Sequence, residues 1–361
     1  MSRVQESGPV LPGVDADGVR SSATGSDAGT TPTAPSIRGR TSPAALVGDD
    51  SWLGQNRAIL IPYLLIALLL AAAAIRAPGF VSVPNLTQQL VLASYLGVIA
   101  GGQTLVILTG GIDLSIAWNL NLAAILLTQL SETMPVLWAT VAALGCASLV
   151  GLVNGLGVAY LRSPSLVMTL GMNAVLAGVT LVYTNGSPQG EAPAFSRELA
   201  VGELGGIVPW ALIFWAVFST GLIFLLRRTV YGKRLYAIGN NPKASYLSGV
   251  PVRCVLVLTY TLCGLCAGIG GVMLTGYSQQ SYLGMGDLYV LPAIAAVVVG
   301  GTSILGGSGG YAGTIAGAIT VVLLQNVLQI VGIQPAGQQI LYGVIILIML
   351  FVYGRNARVR E

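Results

Sequence analysis

Runs of about twenty consecutive apolar residues recur from residue 58 to residue 352, and no other feature limits the possible folds so sharply. A helix rising 1.5 Å per residue crosses a hydrocarbon core of ~30 Å in such a run, whereas a membrane β-barrel would show shorter segments of alternating polarity. Spans are expected at 58–77, 86–109, 114–130, 136–161, 165–184, 207–226, 255–277, 288–299, 312–331 and 338–352, ten in all. Only 8% of the 361 residues are charged, against roughly 25% in soluble domains. The expected fold class is therefore all-α, a polytopic membrane helix bundle of about ten transmembrane helices. The eighth span is short and flanked by glycine, the pattern of a broken or tilted segment facing a cavity.

Orientation follows from one polar stretch, residues 227–253. It holds Arg227, Arg228, Lys233, Arg234, Lys243 and Arg253, six of the 17 cationic residues, and no acidic residue, which places it in the cytoplasm. Ten spans then put both termini in the cytoplasm as well, and only Arg76 and Arg197 face outward. Asn240, Asn241 and Pro242 read as a cap with proline at the first helical position, giving one short helix outside the bilayer. Such a helix suits a partner, although the charges alone fit a purely topological role and contact with anionic membrane lipid equally well. Residues 1–50, rich in Ser, Thr, Gly, Pro, Asp and Ala, read as a disordered cytoplasmic tail, 51–354 as the membrane domain, and 355–361 as a short basic tail. The outer loop at 185–206 carries Glu191, Glu198 and Glu203 and is either solvated or a landing surface for an extracytoplasmic partner.

Enzymatic apparatus is not visible. The chain has no histidine, no G-x-x-x-x-G-K-[ST] loop for ATP, and no acidic pair near the centre of a span, so neither catalytic nor metal residues nor a cofactor are expected. Cys263 and Cys266 lie in an apolar run rich in glycine, where small residues serve helix packing. Net charge of +4 is explained by topology, so no nucleic-acid partner is expected. What remains is a set of amides at membrane depth: Gln103, Asn119, Asn121, Asn154, Asn173, Gln325 and Asn326. Each is costly against lipid and serves either as glue between helices or as the lining of a polar path. Gln103, Asn121 and Asn173 stand first as path residues, with Asn119, Gln325 and Asn326 beside them. Amides suit a hydroxyl-rich cargo, and the lack of buried charge counts against an ion. Asp113, which follows a glycine turn, is expected to cap the third helix. A faint repeat, ILTGGIDLS at 107–115 and VVGGTSILGG at 298–307, places a glycine pair at the cytoplasmic end of two spans.

Five stretches carry a family resemblance: GGQTLVILTGGIDLS (101–115), GLVNGLGVAYL (151–161), MTLG (168–171), YGKRLYAIGNNPKASYLSGV (231–250) and AIAAVVVGGTSILGGSGGYAGTIAGA (293–318). In this order they resemble the permease subunits of bacterial ABC importers of the ribose-type monosaccharide class. The resemblance implies a permease in the bacterial cytoplasmic (inner) membrane that pairs with a second permease copy or a homologous permease. It also implies two cytoplasmic ABC ATPase subunits, a periplasmic or lipid-anchored sugar-binding protein, and no ATPase activity in this chain. By the same resemblance, Gly239, Asn240, Asn241, Pro242, Ala244 and Gly249 belong to the helix that docks on the ATPase. Departures fall at Ile116, Ala117, Trp118 and Asn119, at 281–296, where a commoner acidic pattern is missing, and at Ser308, where arginine is usual. They leave the sugar open. A nucleoside is the alternative cargo of the same class; an ion-coupled secondary transporter would need a buried carboxylate, and a structural scaffold would not need mid-membrane amides.

Overall fold

The computed structural model describes residues 52–357. The expected tail at 1–50 and the last residues of the basic tail, 358–361, lie outside the described residues.

Among the described residues, six helices are long and apolar enough to cross a membrane: α2 (Val83–Leu108), α4 (Val136–Tyr160), α5 (Ser165–Tyr183), α7 (Trp210–Arg228), α10 (Val252–Ser278) and α12 (Tyr311–Ile330). Four more are apolar but shorter in their described apolar part: α1 (Trp52–Arg76), α3 (Ile116–Ser131), α11 (Val290–Val299) and α13 (Pro335–Ala357). All ten expected spans are thus helices, and the chain is a polytopic all-α membrane protein. Outward faces carry Leu68, Leu149, Leu170, Val217 and Leu347, all more than half exposed, as lipid or a partner helix requires.

The centre is α10, which packs against α2, α3 and α4. Glycine makes this possible. Gly151 on α4 lies where a Cβ would strike the Tyr260 carbonyl of α10, and Gly264 on α10 lies equally close to the Ala147 carbonyl of α4. The two backbones therefore touch along a small-residue seam, the usual basis of helix association in lipid. Cys263 and Cys266, both buried and unpaired, face Gly102 of α2 in the same manner. A relay of hydrogen bonds ties two further helices, α7 and α12, to α2: the Trp215 indole donates to the Tyr311 hydroxyl at 3.0 Å, which donates to the Gly97 carbonyl at 2.9 Å.

Two helices begin deep inside the bundle. The amide of Asn119, in the first turn of α3, donates at 3.0 Å to the carbonyl of Ala147, near the middle of α4. The eighth expected span is likewise only α11, preceded by an irregular stretch, 279–286, that descends along α3. Ser281 pairs with Thr128 at 2.8 Å, the Met285 N–H with the Asn121 carbonyl oxygen at 3.0 Å, and Gly286 abuts the carbonyl of Ala117. From Thr128 to Ala117 the helix covers about 16 Å at 1.5 Å per residue. The eighth span is therefore broken: residues 279–286 are irregular backbone, turning where the Met285 N–H reaches the Tyr282 carbonyl and with Gln279 and Gly284 at positive φ, and α3 takes the Ser281 hydroxyl and the Met285 N–H.

The basic loop holds two helices where one was expected, α8 (Val230–Asn240) and α9 (Pro242–Leu247). Thr229 caps α8 by accepting the Gly232 N–H at 3.2 Å, and Gly232, Leu235 and Ile238 form its buried face at three-residue spacing. Asn241 caps α9 by accepting the Ala244 N–H at 2.9 Å, with Pro242 at the first position, as the sequence indicated. At the other end of α10, the loop at 185–206 contains α6 (Ala194–Val201), and an antiparallel pair, β1 (Glu203–Leu204) with β2 (Val208–Pro209), follows at its end. The helix α6 seals against α10 where Gly276 meets the Ser196 carbonyl, and Tyr95 of α2 donates to the Ala200 carbonyl at 2.7 Å.

Candidate functional site

Packing separates the amides that the sequence presents as equals. Gln103, Asn119, Asn121 and Asn154 are fully buried. Asn119 and Asn121 bind backbone groups of other segments, as described above, and Asn154 donates to the Ser115 hydroxyl at 2.8 Å. Each keeps one amide atom without a partner among the described residues, and Gln103 keeps both. Asn326 on α12 is half-buried and donates to the Gln89 side chain of α2 and to the Val322 carbonyl, while Gln325 beside it is also half-buried. These two lie on a helix apart from the α3–α5 group, so the structure does not bring all six path candidates to one place.

Asn173, near the middle of α5, is different because it is partly open. Its carbonyl oxygen accepts the backbone N–H of Trp118 at 3.4 Å. The Trp118 indole, itself half-buried, reaches the carboxylate of Asp287, which is exposed in the short 3-10 turn Asp287–Tyr289 leading into α11. Trp118, Asn173 and Asp287 therefore converge where α3 and α11 begin, at the level of the middle of α5. Asp287 has no role in the sequence reading, whose expected boundary leaves it just outside the eighth span. One signal was available: it is the only acidic residue between Glu203 and Glu361. An acid at the mouth of a glycine-flanked half-span is the arrangement expected of a segment lining a cavity.

Asp113 corrects another expectation. Ser115, not Asp113, stands at the start of α3, and the Asp113 carboxylate accepts the Ser115 N–H at 2.9 Å and the Ser115 hydroxyl at 2.6 Å. Asp113 thus shapes the entry to the helix rather than capping its first-turn amides. It is only 1% exposed, so the protein does bury a carboxylate, held by Ser115 and beside the Cys263 thiol. Ser115 in turn accepts from Asn154, so carboxylate, hydroxyl and amide form one chain between the 109–115 turn and α4.

The expected docking residues divide into two groups. Gly239 and Asn240, at the end of α8, face the protein's own glycine turns. A Cβ at Gly239 would meet the Leu108 carbonyl, and the Asn240 amide donates to the Tyr236 carbonyl at 2.9 Å and to the Gly307 carbonyl at 3.3 Å. Gly307 donates its N–H to Leu108 at 3.0 Å, and the Tyr236 hydroxyl donates to the Gly309 carbonyl at 2.9 Å. The turn at 108–111 thus touches the glycines at 306–307, and the end of α8 clasps both, whereas Gly300, the partner of Gly110 in the sequence echo, packs on Gly313 instead. Positive φ at Gly110 and Gly307 (82° and 73°) makes glycine the fitting residue at this crossing. Asn241, Pro242, Ala244 and Gly249 are exposed with α9, where Tyr246 and Leu247 stand 71% and 77% open. Two large apolar side chains on a polar, basic loop form a ready contact surface.

The sequence is similar to those of known permeases. A family model described as "Branched-chain amino acid transport system / permease component" matches residues 85–350. Ribose import permease protein RbsC of Escherichia coli (strain K12) is 35% identical over 307 residues, 84% of this chain and 94% of its own length. The protein of the same name from Bacillus subtilis (strain 168) is 36% identical over 295 residues, 81% and 91% of the two chains. Galactose/methyl galactoside import permease protein MglC of Escherichia coli (strain K12) is 31% identical over 304 residues, 79% and 90%. No solved structure gives a significant match.

Proposed function

The chain belongs to the branched-chain amino acid transport system / permease component family, and from that premise we propose that it is the translocating subunit of an ATP-driven importer of a monosaccharide. The single observation that carries the cargo class is identity of 35% over 94% of a ribose import permease, with a galactose import permease at 31% over 90%. The family description names an amino acid, whereas these relatives, which align along nearly their whole lengths, name sugars. The proposal follows the latter.

On this reading the chain works as a pair of permeases, hydrolyses no ATP itself, and receives its sugar from an extracytoplasmic binding protein. Its ATPase partner docks on α9, with Asn241, Pro242, Ala244 and Gly249 framing the exposed Tyr246 and Leu247. Motion of α9 passes through the linked α8 to the glycine turns at 108–111 and 306–307, and from the first of these to Asp113, Ser115 and Asn154. At the opposite end, a cleft of about 480 Å3 between α2, α6 and the β1–β2 pair, lined by Thr87, Gln88, Glu203 and Tyr277, suits the face that meets the binding protein. Gln103, Asn119, Asn121 and Asn173, with Gln325 and Asn326 on the far helix, supply amides that change partners as the path opens and closes. The unpartnered amide of Gln103 is the group with most to gain from water in another state, because a buried unsatisfied amide costs several kcal/mol in roughly this setting.

The test is a thermal-shift screen of the cognate binding protein against sugars, nucleosides and amino acids, followed by uptake of the hit into vesicles holding the complete complex. A pentose or hexose stabilising the binding protein and entering only with ATP is the expected result. A nucleoside or branched-chain amino acid as the sole hit overturns the cargo, and uptake driven by a proton or sodium gradient without ATP overturns the mechanism.

A further inference from the structure

Asp287 is exposed on the surface of the chain at a depth where a lipid-facing carboxylate is strongly disfavoured. The depth follows from its neighbours: Gly286 rests on Ala117, Trp118 is tied to Asn173 near the middle of α5, and Asn119 is tied to Ala147 near the middle of α4. A carboxylate at that level costs several kcal/mol against hydrocarbon, so the face that carries it meets water, a second copy of the chain, or both. The same face offers a half-buried indole and an amide. Resting on the permease reading above, we propose that Trp118, Asn173 and Asp287 form one wall of the translocation path and select neutral, polyhydroxylated solutes over anionic ones.

The chemistry matches that cargo. A carboxylate accepts hydrogen bonds from hydroxyls, an amide both donates and accepts, and an indole offers a flat apolar face with a polar N–H. The fixed negative charge repels the carboxylate of an amino acid or the phosphate of a phosphorylated sugar, and no cationic side chain is among the three. Trp118 and Asp287, though not Asn173, fall in the stretches at 116–119 and 281–296 where the sequence departs from the resembling family. With the long hydrogen bond from the Trp118 N–H to Asn173 (3.4 Å), the contacts are weak enough for release, as a subunit fed by a binding protein needs.

Single cysteines test the wall without knowledge of the cargo. In a background where the partly exposed Cys146 and Cys254 are replaced and the buried Cys263 and Cys266 are kept, Asn173→Cys and Trp118→Cys are introduced into the assembled transporter. They are treated with cationic and anionic methanethiosulfonate reagents, with and without ATP. A thiol at either position should react, several-fold faster with the cationic reagent, and adding Asp287→Asn should bring the two rates together. Val217→Cys, on an apolar face 69% exposed, should stay unreactive as a lipid-facing control. No reaction at 118 or 173 in any state overturns the wall, as does a charge preference that survives Asp287→Asn. A thiol that forms only a disulfide with its counterpart in a second copy overturns it too, by marking a sealed permease interface. If Trp118→Cys fails to accumulate, Asn173→Cys alone decides. Reactivity does not depend on uptake, so a wall that reacts as expected in a protein importing no sugar would sink the cargo assignment and leave the wall standing.

Discussion

Asn121 accepts the Met285 N–H at 3.0 Å in a fully buried setting, so Asn121→Leu strands a backbone donor inside the protein. Loss of about 1–3 kcal/mol is expected, read as a lower unfolding midpoint in detergent, with uptake falling in step with the amount of folded protein. Asn173→Ala should behave otherwise, because its one bond is long and its side chain is partly open. Stability should stay near that of the native protein while the KM for uptake rises, and a drop in stability equal to that of Asn121→Leu would make both amides glue. Asp113→Ala frees the Ser115 hydroxyl and N–H together and, through Ser115, loosens Asn154, so it should destabilise by about 2 kcal/mol or more, whereas Asp113→Asn keeps an acceptor and should cost less. From sequence, these residues are merely polar positions in apolar runs. Which are stitched and which are open depends on contacts between different segments of the chain, such as Asn121 with Met285, and periodicity carries no information about those.

Among elements, α8 and α9 divide the work of the basic loop. The α9 boundary was legible from Asn241 and Pro242, because a cap and a proline are local chemistry. The helix α8 was missed, since its first turns hold Gly232, Lys233 and Arg234, and its buried face exists only by packing on α2, α7 and α10. Replacing Ala244 by Glu, or Tyr246 and Leu247 by Ser, should leave the permease inserted but abolish recovery of the ATPase in pull-down. Asn240→Asp, which removes the donor to the Tyr236 and Gly307 carbonyls at nearly constant shape, and Tyr236→Phe, which removes the donor to Gly309, act one step further in. The ATPase should still be recovered with these variants while sugar imported per ATP hydrolysed falls. An unchanged ratio would show that the clasp on the glycine turns transmits nothing. The half-helices follow the same lesson: the shortness of the eighth span showed in its glycines, but the depth at which α3 starts is set by Asn119 on Ala147 and could not be read locally.

For the whole molecule, ten apolar runs specified ten helices, because each run must satisfy its own backbone in lipid and only a helix does so. The order in which they pack was not available from hydropathy: α10 takes the centre because its glycines match those of α4, and a substitution such as Gly264→Leu, driving a side chain into the Ala147 carbonyl, should prevent stable folding altogether. On the reading proposed above, that bundle moves a solute at the command of a partner docked on α9. The most direct test reconstitutes the permease with its ATPase in vesicles, supplies binding protein loaded with labelled sugar, and follows accumulation against a gradient. Accumulation that requires ATP and the binding protein and is indifferent to proton and sodium gradients is the predicted result; accumulation without ATP, driven by either gradient, would contradict the account.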